Sequence, residues 1–275
     1  MEIKKVGFLG MGVMGLPMAK NLVKKSGHEI VGFDVADKRL EEFAAAGGTA
    51  VKDADEIYKT CDIIMQILPT HAIIRDSVEK AIKFGKPGRI IVDLSSTAPH
   101  IIQEMYEDAK KAGMFLLDSP ISGGNPMAIA GTLAIMTGGD KEAFEKVKPL
   151  LECLGNPVYT GSAGSGSVTK LVNNIIAGAY MVVMAEGYAF AAKAGIDLQT
   201  TFEATRGGFA GGPAYDNKVP KIIHRDYEPG ARIAVHRKDI VNAKDYAHHM
   251  GVDTPMTDVV LMVMDWMKDN GHIDE

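Results

Sequence analysis

Residues 6–15 read VGFLGMGVMG. A short apolar run enters a glycine-rich turn, and from Met14 to Lys25 the spacing of apolar residues predicts a helix. Gly10, Gly12 and Gly15 thus form GxGxxG between a strand and a helix. In that context the first glycine permits the tight turn, the second lets backbone approach a pyrophosphate, and the third lets helix and strand pack closely. Met11, Val13 and Met14 complete the loop, whose backbone N–H groups at a helix start face phosphate oxygens. The next strand ends at Asp34, about 20 residues on, where a carboxylate accepts hydrogen bonds from the adenosine ribose and repels a 2′-phosphate. NAD is the expected cofactor. Lys38 and Arg39, just beyond, leave NADP open.

Outward from this turn, short apolar runs alternate with helical patterns. Strands are expected over Lys5 to Gly10, Glu29 to Asp34, Asp62 to Leu68, Arg89 to Ser95, Met114 to Pro120, Leu133 to Thr137 and Val158 to Thr160. Helices are expected over Lys38 to Ala46, His71 to Phe84, Pro99 to Lys111 and Lys141 to Leu154. This predicts an α/β fold, a doubly wound and mostly parallel sheet of Rossmann type. After Gly161 only helical patterns follow: Ser167 to Ala194, Leu198 to Thr205, Asp216 to Ile223, Lys238 to Met250 and Met256 to Asp269. The Gly/Ser-rich segment GSAGSGS, residues 161–167, marks the change. Two domains are expected, a dinucleotide-binding domain over 1–163 and an all-helical domain over 164–275 that opens with a long interdomain helix and serves substrate and dimerisation.

The composition bounds the rest. A chain of 275 residues with net charge -5 and pI near 5.9 gives no reason to expect nucleic acid or an anionic membrane as partner. Cys61 and Cys153 stand apart, with neither CxxC nor metal spacing, which suits free thiols in the cytoplasm. No metal site is expected, since His248 and His249 are adjacent and cannot share a helix face. The apolar stretch Leu171 to Ala192 has the length of a membrane span, but Asn173, Asn174 and Glu186 are costly in hydrocarbon, so a buried helix is expected. Glu186 should then find a polar partner. Lys170 stands at the mouth of this helix, with Asn173 and Asn174 three and four residues on and hence on its face.

Four stretches, taken in order, resemble one family. They are GFLGMGVMGLPMAKNL at 7–22, DLSSTAP at 93–99, DSPISGG at 118–124, and TKLVNN at 169–174 with HRKD at 236–239. The set is similar to the β-hydroxyacid dehydrogenases, the family of 3-hydroxyisobutyrate dehydrogenase and tartronate semialdehyde reductase, and spans nearly the whole chain. The resemblance implies NAD(P)-dependent interconversion of a small β-hydroxycarboxylate and its semialdehyde or keto acid. It makes Lys170 the general acid/base, which exchanges a proton with the substrate oxygen, desolvation having disfavoured its charged form. It gives Asn174, with Asn173, to the substrate and to orienting that lysine. Ser122, Gly123 and Gly124 hold the substrate carboxylate. Leu68 and Pro69 line the cofactor, Thr97 lies beside the nicotinamide, and Lys238 approaches cofactor and substrate with Asp239 beside it. A homodimer or homotetramer is implied as well.

One departure from the family pattern and three alternatives remain. Ala231 stands where the family usually has an aromatic wall of the pocket, seven positions before Lys238, and the loop RGGFAGGPAYDN offers Arg206 for a second anionic group and Phe209 or Tyr215 as filler. The decarboxylating 6-phosphogluconate dehydrogenases share the plan with a much longer helical domain. Imine reductases share it too, typically without the lysine that Lys170 supplies. A catalytically silent NAD(P)-binding interaction module is the alternative outside enzymes.

Overall fold

Along each central strand successive side chains point to opposite faces, and both faces are covered. In the computed structural model of the chain, which describes residues 3–228 and 232–273, β1 (Lys5–Leu9) lies between β2 (Glu29–Phe33) and β4 (Ile63–Gln66), parallel to both. β3 (Thr49–Ala50) extends the sheet beyond β2, while β5 (Ile90–Asp93) and β6 (Phe115–Asp118) follow β4. The order 3-2-1-4-5-6 is that of a doubly wound dinucleotide-binding sheet, which reverses between β1 and β4 and takes its ligand at the carboxyl ends of the strands. β7 (Ile121–Ser122) and β6 pair antiparallel with β8 (Leu133–Gly138), and β9 (Gly155–Gly161) returns parallel to β8.

Burial follows the pleat. Val6, Phe8, Ile63, Met65, Ile90 and Val92 join the core on one face, and Leu9, Val31, Ile64 and Ile91 join the core on the other. Each such side chain contributes about 1.5–3 kcal/mol on burial, enough together to hold the sheet rigid under a ligand. The covering helices are α1 (Gly15–Lys25), α2 (Asp37–Ala44), α3 (Ala54–Thr60), α4 (His71–Phe84), α5 (Pro99–Lys111), α6 (Gly124–Ala130) and α7 (Lys141–Glu152). Local chemistry sets their starts. The Thr70 hydroxyl accepts the Ile73 N–H at α4, and Pro99 at the first turn of α5 fixes its entry. β3, α3, β7 and α6 were not expected from the sequence, since none is long enough to show a period.

One compact unit runs to Lys170 and a second from Leu171 to Glu275. α8 (Ser165–Lys193) begins in the first and continues into the second. The second unit adds α9 (Leu198–Thr205), α10 (Pro213–His224), α11 (Ile233–His249) and α12 (Pro255–Asp269). Met184 and Tyr188 pack with Phe202, Tyr215 and Val219, and Ile240 packs with Val260, Leu261 and Met264. α11 begins at Ile233 rather than Lys238, so the Lys238-Asp239 pair lies inside a helix and does not open one.

α8 itself departs from expectation. It is the one helix among the described residues with the length and hydropathy to cross a membrane, and the chain buries little of it. Val172, Ile176, Val183 and Phe190, which fall on one helical face, are 51%, 63%, 48% and 74% exposed. Glu186 is exposed too. An apolar run reports that a helix seeks cover; it does not report whether its own chain provides that cover.

Candidate functional site

The glycine loop has two kinds of glycine. A Cβ on Gly10 would lie 2.2 Å from the Ile67 carbonyl oxygen, and one on Gly15 would lie 2.0 Å from that of Gly10, so the fold requires both to be bare. Gly12 differs. A Cβ there would meet nothing within 4 Å. Its bareness is left for something outside the chain, and a pyrophosphate against the loop fits that space. α1 begins at Met14 and Gly15 with no side-chain cap and no acidic residue in its first turn, an environment that suits an anion.

Asp34 closes the cradle. Its Oδ2 accepts the Met11 N–H at 2.5 Å and its Oδ1 the Ala36 N–H at 2.8 Å, which ties the end of β2 to the glycine loop. Each oxygen keeps a lone pair for a ribose hydroxyl. Val35 beside it is 93% exposed. Lys38 is exposed, and Arg39 pairs with Glu42 at 3.5 Å.

A buried polar network underlies the ends of β4 and β5. Asp93 accepts the Thr97 hydroxyl at 2.6 Å and the Ser95 N–H at 3.2 Å, while Gln66 donates to it at 3.4 Å. Gln66 in turn accepts from Ser77, which pairs with the Tyr58 hydroxyl. Burial pushes the Asp93 carboxyl up, opposed by the hydrogen bonds from Ser95 and Thr97. Thr97 spends its proton on Asp93, so toward any ligand it presents acceptors. The Leu68 N–H is held by the Ser95 hydroxyl at 2.9 Å, and Pro69 follows, exposed.

Ser122 ends β7, and Gly123 and Gly124 lead from it into α6, with φ of 136° and 69° at the two glycines, conformations that favour a missing Cβ. Asn125 then reaches back to the glycine loop, its Nδ2 donating to the Val13 carbonyl at 2.7 Å. The cofactor loop and the Ser-Gly-Gly turn are thereby joined within one unit. In the same unit Asp118, 1% exposed, receives the Gly164 and Ser167 N–H groups at 2.9 and 2.7 Å, and burial pushes its carboxyl up to about 6 against those hydrogen bonds.

Lys170 follows one turn later on α8. In the second unit Asn173 Nδ2 donates to Asn174 Oδ1 at 3.1 Å, Asn174 Nδ2 donates to Asp239 Oδ2 at 3.0 Å, and Lys238 Nζ pairs with Asp239 Oδ1 at 3.4 Å. Asn174 and Asp239 are 5% and 7% exposed. Three of the residues expected from the sequence, Asn173, Asn174 and Lys238, thus join one chain of contacts through Asp239.

The remaining expectations fare differently. Arg206 pairs with Asp216 at 3.3 Å and Glu203 at 3.8 Å and lies over the Phe202 ring, so its charge is already matched. Tyr215 is core, its hydroxyl bonded to Tyr188 and Thr205 at 2.7 and 2.6 Å, and it fills no pocket by swinging. Phe209 is fully exposed. Ala231 lies outside the described residues. Sequence reasoning passed over Asp93, Asp118 and Asn125; the two acids open the quoted motifs DLSSTAP and DSPISGG, each at a strand end, and that position was the available signal.

The chain matches known families along its length. Residues 5–164 match the NAD binding domain of 6-phosphogluconate dehydrogenase, and residues 164–275 the NAD-binding domain of NADP-dependent 3-hydroxyisobutyrate dehydrogenase. It is 34% identical to 2-hydroxy-3-oxopropionate reductase of Escherichia coli, over 92% of this chain and 87% of that one. It is 32% identical to 2-(hydroxymethyl)glutarate dehydrogenase of Eubacterium barkeri, over 95% and 88%. The solved structure of Mycobacterium tuberculosis 3-hydroxyisobutyrate dehydrogenase with L-serine superposes with a TM-score of 0.90 at 29% identity, covering 99% of this chain and 96% of that one.

Proposed function

This chain belongs to the family of 3-hydroxyisobutyrate dehydrogenase and 2-hydroxy-3-oxopropionate reductase, and from that premise we propose that it interconverts a small β-hydroxycarboxylate and its semialdehyde with Lys170 as general acid/base. The supporting observation is the chain Asn173, Asn174, Asp239, Lys238, which starts one turn beyond Lys170 on an otherwise apolar helix. Buried amides and carboxylates cost several kcal/mol unless paired. Here every member is paired, and the result is a fixed asparagine on the face that carries the lysine.

NAD(P), when bound, supplies the nicotinamide that accepts or returns a hydride. Gly10 to Gly15 would hold its pyrophosphate, Asp34 its ribose, Leu68 and Pro69 its flank and Thr97 the nicotinamide side, and the Asp34 carboxylate favours NAD over NADP. Ser122, Gly123 and Gly124 bind the substrate carboxylate through backbone N–H groups and one hydroxyl. Lys170 takes the proton of the substrate hydroxyl in oxidation and returns it to the carbonyl oxygen in reduction. Asn174 orients both, with Asn173 and Lys238 assisting. The protein is a homo-oligomer in which a second copy covers the apolar face of α8, and its buried free thiols suit the cytoplasm.

The experiment is an absorbance assay at 340 nm with NAD and NADP against small β-hydroxyacids, and with the reduced cofactors against semialdehydes. Turnover of at least one β-hydroxycarboxylate is expected. Tight cofactor binding without turnover across the panel would identify a silent NAD(P)-binding module instead.

A further inference from the structure

At the start of the helix that carries Lys170, the Ser165 N–H is taken by the nearby Ser162 carbonyl at 3.0 Å. The residue before Ser165 is Gly164, which offers no side chain to the first N–H groups, and a buried helix start needs acceptors. For the N–H groups on either side of Ser165 they come from a distant part of the chain. Asp118 Oδ1 accepts from Gly164 and Oδ2 from Ser167, across 46 and 49 residues of sequence.

The seat is built to admit the helix. Asp118 ends β6 opposite Gly138 of β8, so its backbone is fixed in the sheet. A Cβ on Gly138 would lie 2.6 Å from both Asp118 Oδ1 and Ser165 Oγ. One on Gly166 would lie 2.3 Å from the Met136 carbonyl oxygen and 2.5 Å from that of Asp118. Thr160 adds a further tie, bonded to the Thr137 carbonyl at 3.1 Å and the Ser165 hydroxyl at 2.9 Å. Keeping a carboxylate there is costly, because burial favours its neutral form.

We propose that Asp118 is a positioning residue for the reaction: it sets where the first turn of α8, and with it Lys170, stands relative to the Ser122–Gly124 segment, which follows four residues on from the same strand end at the close of β7. The inference rests on the reading of Lys170 as general acid/base. From Ser167 to Lys170 is about 4.5 Å along the helix axis at roughly 1.5 Å per residue. From Asp118 to Ser122 is at most about 13 Å of extended chain. Both levers are short and start from one carboxylate-bearing residue. A cap on the helix itself would satisfy the same N–H groups, yet it would not tie the helix to the strand.

The test compares Asp118→Asn with the unaltered enzyme and Lys170→Ala. The variant keeps the shape but turns one acceptor into a donor that faces an N–H group. Its kcat should fall tenfold or more, on the scale of about 100-fold for a misplacement near 1 Å, while NADH Kd stays within about twofold and the primary deuterium isotope effect on kcat rises as the chemical step becomes limiting. An unchanged kcat, or a loss that tracks lost NADH-binding sites with the isotope effect unchanged, overturns the proposal. If Asp118→Asn does not fold, Gly166→Ala displaces the same turn with Asp118 intact and must give the same pattern; a folded Gly166→Ala enzyme with normal kcat overturns it. Full activity in Lys170→Ala would instead remove the reading on which the proposal rests.

Discussion

Asp239 accepts a hydrogen bond from the Asn174 side-chain amide at 3.0 Å, and the oxygen of that amide is held by Asn173 at 3.1 Å. Flipping the amide would set its oxygen against a carboxylate, so the two partners fix which end points where. One N–H proton and one lone pair of Asn174 are left for a ligand. Asp239, which Lys238 pairs with on its other oxygen, thus fixes the orientation of Asn174, and in the proposed reaction it would act on substrate only through that amide.

That relationship makes the two residues non-additive. Asn174→Ala and Asp239→Ala should each lower kcat/KM by about tenfold or more, and the double variant should be little worse than the worse single one, a coupling of about 0.5–3 kcal/mol. Steady-state kinetics on the four proteins checks this. Losses that simply multiply would mean that Asp239 does not act through Asn174.

The glycine loop separates a structural from a binding glycine. Gly12→Ala should leave thermal unfolding nearly unchanged, because its methyl meets nothing within 4 Å, yet raise the cofactor Kd at least about tenfold. Gly15→Ala should destabilise the fold itself, with the Gly10 carbonyl oxygen 2.0 Å from the new carbon. Calorimetry and NADH fluorescence titration read the two effects apart.

Much of this was legible before the structure. The strands around β1 and the helices α4, α5 and α9 follow from period and cap residues, and the place of GxGxxG between β1 and α1, with Asp34 just past β2, follows because those features are local. β3 and β7, two residues each, carry no period. Asp118 and Asp93 lay inside quoted motifs, but their partners, an α8 start in one case and Thr97 with Gln66 in the other, meet them only by folding. Glu186 lies exposed on α8, and helical spacing alone does not reveal which face of an apolar helix the chain leaves open.

In the proposed reading, cofactor choice rests on Asp34. The unaltered protein should show a higher kcat/KM with NAD than with NADP. Asp34→Asn combined with Val35→Arg, a position 93% exposed and free to take a long side chain, should move the ratio toward NADP by about tenfold or more. A parent enzyme that already prefers NADP would show that Asp34 does not exclude the 2′-phosphate.

Asp118 gives stability a definite pH dependence. Burial lifts its carboxyl from 3.8 to about 6, so the folded chain binds this proton more tightly than the unfolded one. The stabilising contribution is then complete below the unfolded pKa and is lost as pH rises through about 6, up to roughly 3 kcal/mol in all. Urea unfolding of the parent and Asp118→Asn at pH 4.5 and 7.5 should show the parent losing stability relative to the variant at the higher pH. A difference that does not change with pH would contradict the assignment.

The proposed reaction turns on the proton that Lys170 exchanges. In a single-turnover measurement with saturating NADH and a semialdehyde substrate, Lys170→Ala should bind NADH as the parent does and reduce the aldehyde roughly 100-fold more slowly or worse, the scale for loss of a general acid. Hydride transfer at the parent rate in Lys170→Ala, with NADH fully bound, would contradict it.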